Sequence, residues 1–418
     1  MATPRKAGLG FIFIVLLLDT LGIGVIIPVL PKLIESFTHE TKATANYYGA
    51  FVAVYAGMQF VFAPIIGALS DRFGRRTVIL TSLAGAAADY VLLAYAPSLG
   101  WLFVGRVISG ITGASFAAAS AYIADVTPPE KRAQSFGLIG AAFGIGFVLG
   151  PAMGGLLGDH YLRAPFLVSA ALNFLNFGYG LFVLPESLTA EHRRPFSLAR
   201  ANPFSALRNI GAHPITRGLA GTLVCAYLAQ AILQSAWALY GQARFGWRPF
   251  DVGISLAIVG LASGAVQGGL VRVVVPKLGE RKAVMVGLLF NITGFLGFGL
   301  ATRGWLMYLL ILPFALGGIA GPAIQALLSR EVGPKAQGQL QGSLTSLQSI
   351  TAVLGPIVGT LLFARFGPEE ARPRVPGAPY FAAALFNTVG LLLAVRLFRR
   401  LPATAPAASQ EAETRETD

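Results

Sequence analysis

Twelve long apolar stretches run through this chain, and a chain built that way has few ways to fold. Inside a hydrocarbon core no water satisfies backbone N–H and C=O groups, so each crossing must close its hydrogen bonds within a helix or a sealed barrel. A helical crossing takes roughly 20 residues. Stretches of about that length lie near 8–30, 46–68, 77–96, 101–124, 133–157 and 165–184, and again near 215–240, 250–275, 283–301, 304–328, 338–363 and 378–398. Short polar turns join them except at 185–214, a longer connection rich in Arg and Pro. Composition agrees, since 12% of the residues are charged and 55% hydrophobic, too little charge to cover a soluble surface. The expected organisation is an all-α integral membrane protein of twelve transmembrane helices in two six-helix bundles. Residues 1–184 and 215–400 form the bundles, 185–214 a cytoplasmic linker, and 401–418 a disordered cytoplasmic tail rich in Ala, Pro and acids.

The net charge of +13 raises the possibility of a nucleic-acid partner, and the positions of the cations exclude it. About 22 of the 32 Lys and Arg residues fall on the side of the termini, among them Arg72, Arg75, Arg76, Lys131, Arg132, Arg193, Arg194, Lys277, Arg281, Lys282, Arg399 and Arg400; about nine fall on the other side. That bias places both termini of a multi-pass membrane protein in the cytoplasm. Arg5 and Lys6 precede an apolar run as in a signal peptide, but Asp19 interrupts the run and no small-residue cleavage site follows, so it reads as a retained first span. The single cysteine, Cys225, rules out disulfides within the chain and cysteine metal clusters. No Gly-x4-Gly-Lys loop and no convergent nucleophile, base and metal set appear, so neither an enzyme, a resident cofactor nor ATP drive is expected.

The second half repeats the first at a shift of about 205 residues. Phe73-Gly74-Arg75-Arg76 matches Leu278-Gly279-Glu280-Arg281; Pro129 and Gly137 match Pro334 and Gly342; Gly150-Pro151 and Gly154 match Gly355-Pro356 and Gly359. Parallel six-span repeats are the arrangement of carriers whose substrate path runs between the halves near the bilayer midplane.

Two acids stand inside apolar spans: Asp19 in the middle of the first, and Asp89 beyond the middle of the third. A central carboxylate costs about 2.5–3.5 kcal/mol on insertion scales, so its presence calls for a function. Reversible protonation suits a proton carrier. A second reading pairs either acid with Arg106, the one clearly intramembrane cation, as a structural ion pair. An Asp alternately paired with Arg and bound to a proton unites the two. Among neutral polar residues, Gln59, Gln230, Gln234, Gln267, Asn291, Gln325 and Gln348 either line a cavity or bond helix to helix.

The loop Gly67-Ala-Leu-Ser-Asp71-Arg-Phe-Gly74-Arg75-Arg76 joins an acid, turn-forming glycines and three Arg. A merely positive-inside loop accounts for the Arg residues but not for Asp71 or the Gly positions. Gly105-Arg106-Val-Ile-Ser-Gly110-Ile-Thr-Gly113, Tyr122-Ile-Ala-Asp125-Val-Thr-Pro-Pro-Glu130-Lys-Arg132 and Gly146-Phe-Val-Leu-Gly150-Pro151-Ala-Met-Gly154-Gly155 follow it. Together these resemble the drug/proton antiporter branch of the major facilitator superfamily, and most closely its bacterial tetracycline/proton antiporters. The likeness extends over nearly the whole chain, including Leu18-Asp19-Thr-Leu-Gly22-Ile-Gly24 and Leu83-Ala-Gly-Ala-Ala-Ala-Asp89-Tyr90.

The resemblance implies the major facilitator fold and proton-coupled export of an amphipathic small molecule or drug by a carrier for which a monomer is the default. It implies a cytoplasmic latch at Asp71 and Arg75 with Asp125 as charge partner, and Arg76 and Arg106 join them as gating candidates. Asp19 and Asp89 are the proton-coupling candidates. Gly146, Gly150, Pro151, Gly154 and Gly155 form the antiporter motif. Small residues there allow close helix approach, and Pro151 frees a backbone carbonyl. Gln59 and Gln267 match polar substrate-site positions of the tetracycline antiporters. Where that family places an acid in span nine and a histidine in span eight, this chain has Asn291 and Ser263, which join Gln59 and Gln267 as substrate-site candidates. His39, His160, His192 and His213 all fall outside the spans, and no acid lies deep in the second half. The departure points to proton handling by the first half and to an altered cargo. The alternative is a facilitator or importer on the same fold without tetracycline activity.

Overall fold

The computed structural model describes residues 9–128, 132–189, 191, 193, 214–332 and 337–400. Among these, twelve helices are long and apolar enough to cross a membrane. Spans 1 to 6 are Leu9–Thr38, Thr41–Phe73, Arg75–Tyr95, Leu99–Val126, Ile139–His160 and Ala164–Val183. Spans 7 to 12 are Ile215–Phe245, Pro249–Leu278, Glu280–Leu300, Gly304–Glu331, Gly342–Phe366 and Ala378–Arg400. Every expected span has its helix. The tail 401–418, most of the linker 185–214, and the charges at Glu130, Lys131 and Arg194 lie outside the described residues, as do Pro129, Pro334, His192 and His213.

Several helices are longer than the apolar stretches because polar turns extend them at either end. Span 1 continues through a turn at Pro28, which lacks a donor N–H, and resumes as Leu30–Thr38. Tight bonds from Ile27 N to Gly24 O and from Val29 N to Ile26 O carry the chain across that turn. Span 4 relaxes at Ala114–Ser115, and span 10 tightens into a 3₁₀ turn at Gly317–Ile319, so the repeat preserves the level of the irregularity. Span 8 widens into a π turn at Val266–Leu270.

Glycines set the spacing within and between the halves. Gly146, Gly150 and Gly154 recur every four residues on span 5 and press on Thr20, Gly24 and Val25 of span 1; a Cβ on Gly154 would strike the Val25 carbonyl. In the second half Gly355 and Gly359 of span 11 pack on Ala231, Ile232 and Ser235 of span 7. One residue further on, span 5 and span 11 each turn to the opposite half. Gly155 meets Pro249 and Gly253 of span 8, and Thr360 sits on Gly49 of span 2.

Among the described residues, the polar contacts between the halves lie toward one end. Arg248 Nη1 lies 3.2 Å from Asp159 Oδ2, and Gln242 Nε2 donates to Pro28 O at 3.4 Å, both at the end remote from Leu9 and Arg400. There a single apolar core takes in Val29, Tyr48 and Phe51 from the first half with Trp237, Tyr240 and Phe363 from the second. At the end of the termini the core divides in two, one around Leu16, Ile79 and Tyr122, the other around Leu223, Leu288 and Ile324.

Candidate transport site

Between the halves lies a cavity of about 360 Å³ walled by spans 1–5 on one side and spans 7, 8 and 11 on the other. Tyr55, Gln59, Arg106 and Ser109 face it from the first half, and Gln230, Gln234 and Trp237 from the second. Arg106 is the only charged side chain among the described residues that line it. Apart from Ser235, the remaining wall is aliphatic and aromatic, a surface suited to an apolar molecule fixed by a few polar groups.

Behind that wall stands Asp89, 2% exposed. Ser109 Oγ donates to Asp89 Oδ2, and Arg106 Nη2 donates to Ser109 Oγ at 3.0 Å. Asp89 and Arg106 therefore form no direct ion pair; a hydroxyl stands between them. The Arg106 guanidinium carbon lies 5.8 Å from the centre of the Tyr55 ring, and Gln59 Nε2 donates to Tyr55 Oη at 3.0 Å. One polar chain thus links the buried acid to the cavity. Asp19 is also buried, and it makes no hydrogen bond or ion pair with the described residues. Tyr55 and Tyr90 are its electrostatic neighbours, so the two acids converge on the same tyrosines.

The loop between spans 2 and 3 brings the latch residues together. Arg75, 7% exposed, lies 2.6 Å from Asp71 Oδ1 through Nη1 and 3.1 Å from Asp125 Oδ2 through Nε. Its Nη1 also donates to Ser70 Oγ at 2.6 Å. Arg76 is held apart from that cluster, with Nη2 donating to Leu181 O at 2.6 Å. Glu186 completes the arrangement. Its Oε1 accepts from the backbone N–H of Arg75 at 2.9 Å and of Arg76 at 3.4 Å, so a carboxylate caps the positive end of span 3. Gly74 has φ +97, and a side chain there would collide with Glu186. Only glycine suits both demands.

The second half carries the matching pair with its charges exchanged. Arg330 Nη2 lies 2.8 Å from Glu280 Oε1, and the shift of about 205 residues relates Glu280 to Arg75 and Arg330 to Asp125.

Of the four substrate candidates, Gln59 lines the cavity, whereas Ser263, Gln267 and Asn291 are not among its lining residues. Gln267 belongs to the π turn of span 8 and packs by Gly318. Asn291 Nδ2 donates to Gly317 O at 3.3 Å, tying span 9 to the irregular turn of span 10. That carbonyl also accepts from the N–H of Ala320 within the 3₁₀ turn, so its two lone pairs serve both donors. Tyr55, Ser109 and Glu186 escaped the sequence reading. Ser109 lies inside a quoted motif three residues after Arg106, a helical spacing that places both on one face. The exchanged pair could have been found by applying the repeat shift to the charges.

Two six-helix bundles around a polar-tipped apolar cavity define a transporter of the major facilitator class. The sequence model of the Major Facilitator Superfamily matches residues 12–342 and, in a second match, 224–417, and the chain belongs to this family. It is 44% identical over 347 residues to the tetracycline resistance protein, class C, of Escherichia coli, covering 83% of this chain and 87% of that protein. It is 38% identical over 398 residues to the class D protein of Salmonella ordonez, covering 94% and 97%. Among solved structures it shares the fold of a bacterial homolog of the human lysosomal transporter Spinster in an inward-facing, occupied conformation. The TM-score there is 0.73 at 18% identity, with 96% of this chain and 98% of that one covered. The family resemblance carried by the motifs is borne out.

Proposed function

We propose that this protein exports an amphipathic small molecule of the tetracycline kind in exchange for protons, across a bacterial cytoplasmic membrane with both termini inside. The observation that carries the reading is the buried Asp89, joined through Ser109 and Arg106 to the wall of the central cavity. A carboxyl in that position can hold or release a proton while its partner faces the cargo. The cation bias of the loops supports the orientation. With the termini inside, the closed end is the outer end, so the cavity opens toward the cytoplasm. Residues 1–184 and 215–400 act as the two rocking bodies. Relatives named for tetracycline resistance support the cargo class.

A second reading keeps the transport cycle and changes the cargo. Asn291 supports it, because its amide is engaged with Gly317 and no acid of the second half lines the cavity. Proteoliposomes under an imposed pH gradient separate the two. Tetracycline flux in the wild type, lost at least tenfold in Asp89→Asn at equal protein level, establishes the first reading; gradient-driven flux of other amphipathic drugs without tetracycline establishes the second. Full flux in Asp89→Asn removes the essential carboxylate.

A further inference from the structure

Ser109 has a place that no motif assigns. Arg106 and Ser109 lie one turn apart on span 4, and Gly105 lets span 3 come close enough for Asp89 to reach that turn: a Cβ on Gly105 would stand 3.0 Å from Asp89 Oδ1 and run into Leu93. A hydroxyl owns one proton. Arg106 Nη2 donates to Ser109 Oγ, which leaves that proton for Asp89 Oδ2 alone. The order of donation runs from Arg106 through Ser109 to Asp89 and suits an ionised carboxylate. When Asp89 Oδ2 takes a proton, the hydroxyl has to turn away, and Arg106 meets a rearranged acceptor.

Nothing else among the described residues shares the load. Asp89 Oδ1 and Arg106 Nε are both buried and have no hydrogen-bond partner. The charged and titratable groups around the pair are Asp19 of span 1, Tyr48 and Tyr55 of span 2, Tyr90 of span 3 and Arg106 itself. None of them bonds to Asp89, so the hydroxyl is the one hydrogen-bond partner of its carboxylate among the described residues. From Arg106 the change passes to the cavity wall, where the guanidinium lies over Tyr55 and Tyr55 holds Gln59.

We infer that Ser109 is the positioning residue that couples the proton on Asp89 to the guanidinium of Arg106 at the cargo site. The inference deepens the proton-coupled reading and rests on it, yet its first test needs no cargo. Infrared difference spectra between acid and alkaline buffer are recorded on purified protein carrying isotope-labelled arginine. The Asp89 carboxyl band is assigned by its loss in Asp89→Asn, and the Arg106 band by its loss in Arg106→Lys. In the wild type the guanidinium band shifts together with the rise of the carboxyl band. Ser109→Ala keeps the carboxyl band and loses the guanidinium shift, and Ser109→Thr, which retains a hydroxyl, recovers it. An Arg106 band that still moves in step with Asp89 in Ser109→Ala, or that never moves in the wild type, overturns the relay. In proteoliposomes that transport tetracycline, Ser109→Ala loses pH-driven uptake at least tenfold while tetracycline counterflow without a gradient continues. Absent tetracycline flux in a wild type whose two bands move together counts against the cargo alone.

Discussion

At the scale of single residues, the ion-pair cluster of Arg75 with Asp71 and Asp125 is backed by an acid that follows span 6. Glu186 follows span 6, and its Oε1 accepts from the N–H groups of Arg75, Arg76, Ser187 and Leu188. Two of these are donors that the start of a helix leaves unpaired, and the negative charge sits where the helix field favours it. Arg75 then points inward to Asp71 and Asp125 with its backbone already fixed. Glu186→Gln keeps the shape and removes the charge. It is expected to cost about 1–2 kcal/mol, the upper range for a partly buried charge at a helix end. Thermal unfolding in detergent, compared with the exposed control Glu369→Gln, measures it. An unchanged melting temperature would show that the loop holds itself without the carboxylate.

Among elements, the repeat preserves a contact while reversing its sign. Arg75 at the start of span 3 holds Asp125 near the end of span 4, and Glu280 at the start of span 9 holds Arg330 near the end of span 10. An ion pair stabilises equally whichever partner carries which charge, so two halves that diverged can retain the link with the residues exchanged. Surroundings differ, because Arg330 is largely exposed whereas Arg75 is buried and makes further bonds. An exposed pair contributes about 0.2–1 kcal/mol, so its loss is expected to impair the arrangement of the helix ends more than overall stability. Glu280→Arg alone, which sets two cations face to face, should lower transport several-fold, and the exchange Glu280→Arg with Arg330→Glu should restore most of it. Recovery no better than the worse single variant would mean that each residue acts apart from its partner.

For the whole molecule, the division of the apolar core distinguishes a joined end from a divided one. One core spans both halves at the remote end, whereas separate cores lie at the end of the termini. Passage of cargo requires the joined end to part, and Gly155 against Gly253, Thr360 against Gly49 and Asp159 against Arg248 are the contacts that must separate. Packed interfaces of this kind switch between discrete arrangements. In a Cys225→Ser background, Asp159→Cys with Arg248→Cys bridged by a short thiol-specific linker should reduce transport at least tenfold, and a reducible linker should allow recovery after reduction. Undiminished transport in the bridged protein would show that the halves do not rock apart at this end.

Much was legible before any coordinates, because a bilayer leaves an apolar chain almost no choice of backbone. Length and hydropathy determined twelve helices. The 205-residue shift determined two matched halves, and the cost of buried charge marked Asp19, Asp89 and Arg106. The motif resemblance pointed to Asp71, Arg75 and Asp125 as partners, and Arg75 does meet both acids. What tertiary structure alone decided is who meets whom across helices. Hydropathy is blind to rotation about a helix axis and to a hydroxyl such as Ser109, which is small, neutral and ordinary until span 3 brings Asp89 within its reach. The same blindness hid the fate of Asn291, a polar side chain that could face a cavity or a neighbour until the irregular turn at Gly317 offered it a carbonyl to share with the N–H of Ala320. Composition along one chain sets the cost of burying each group, and only packing between helices supplies the partner that offsets it.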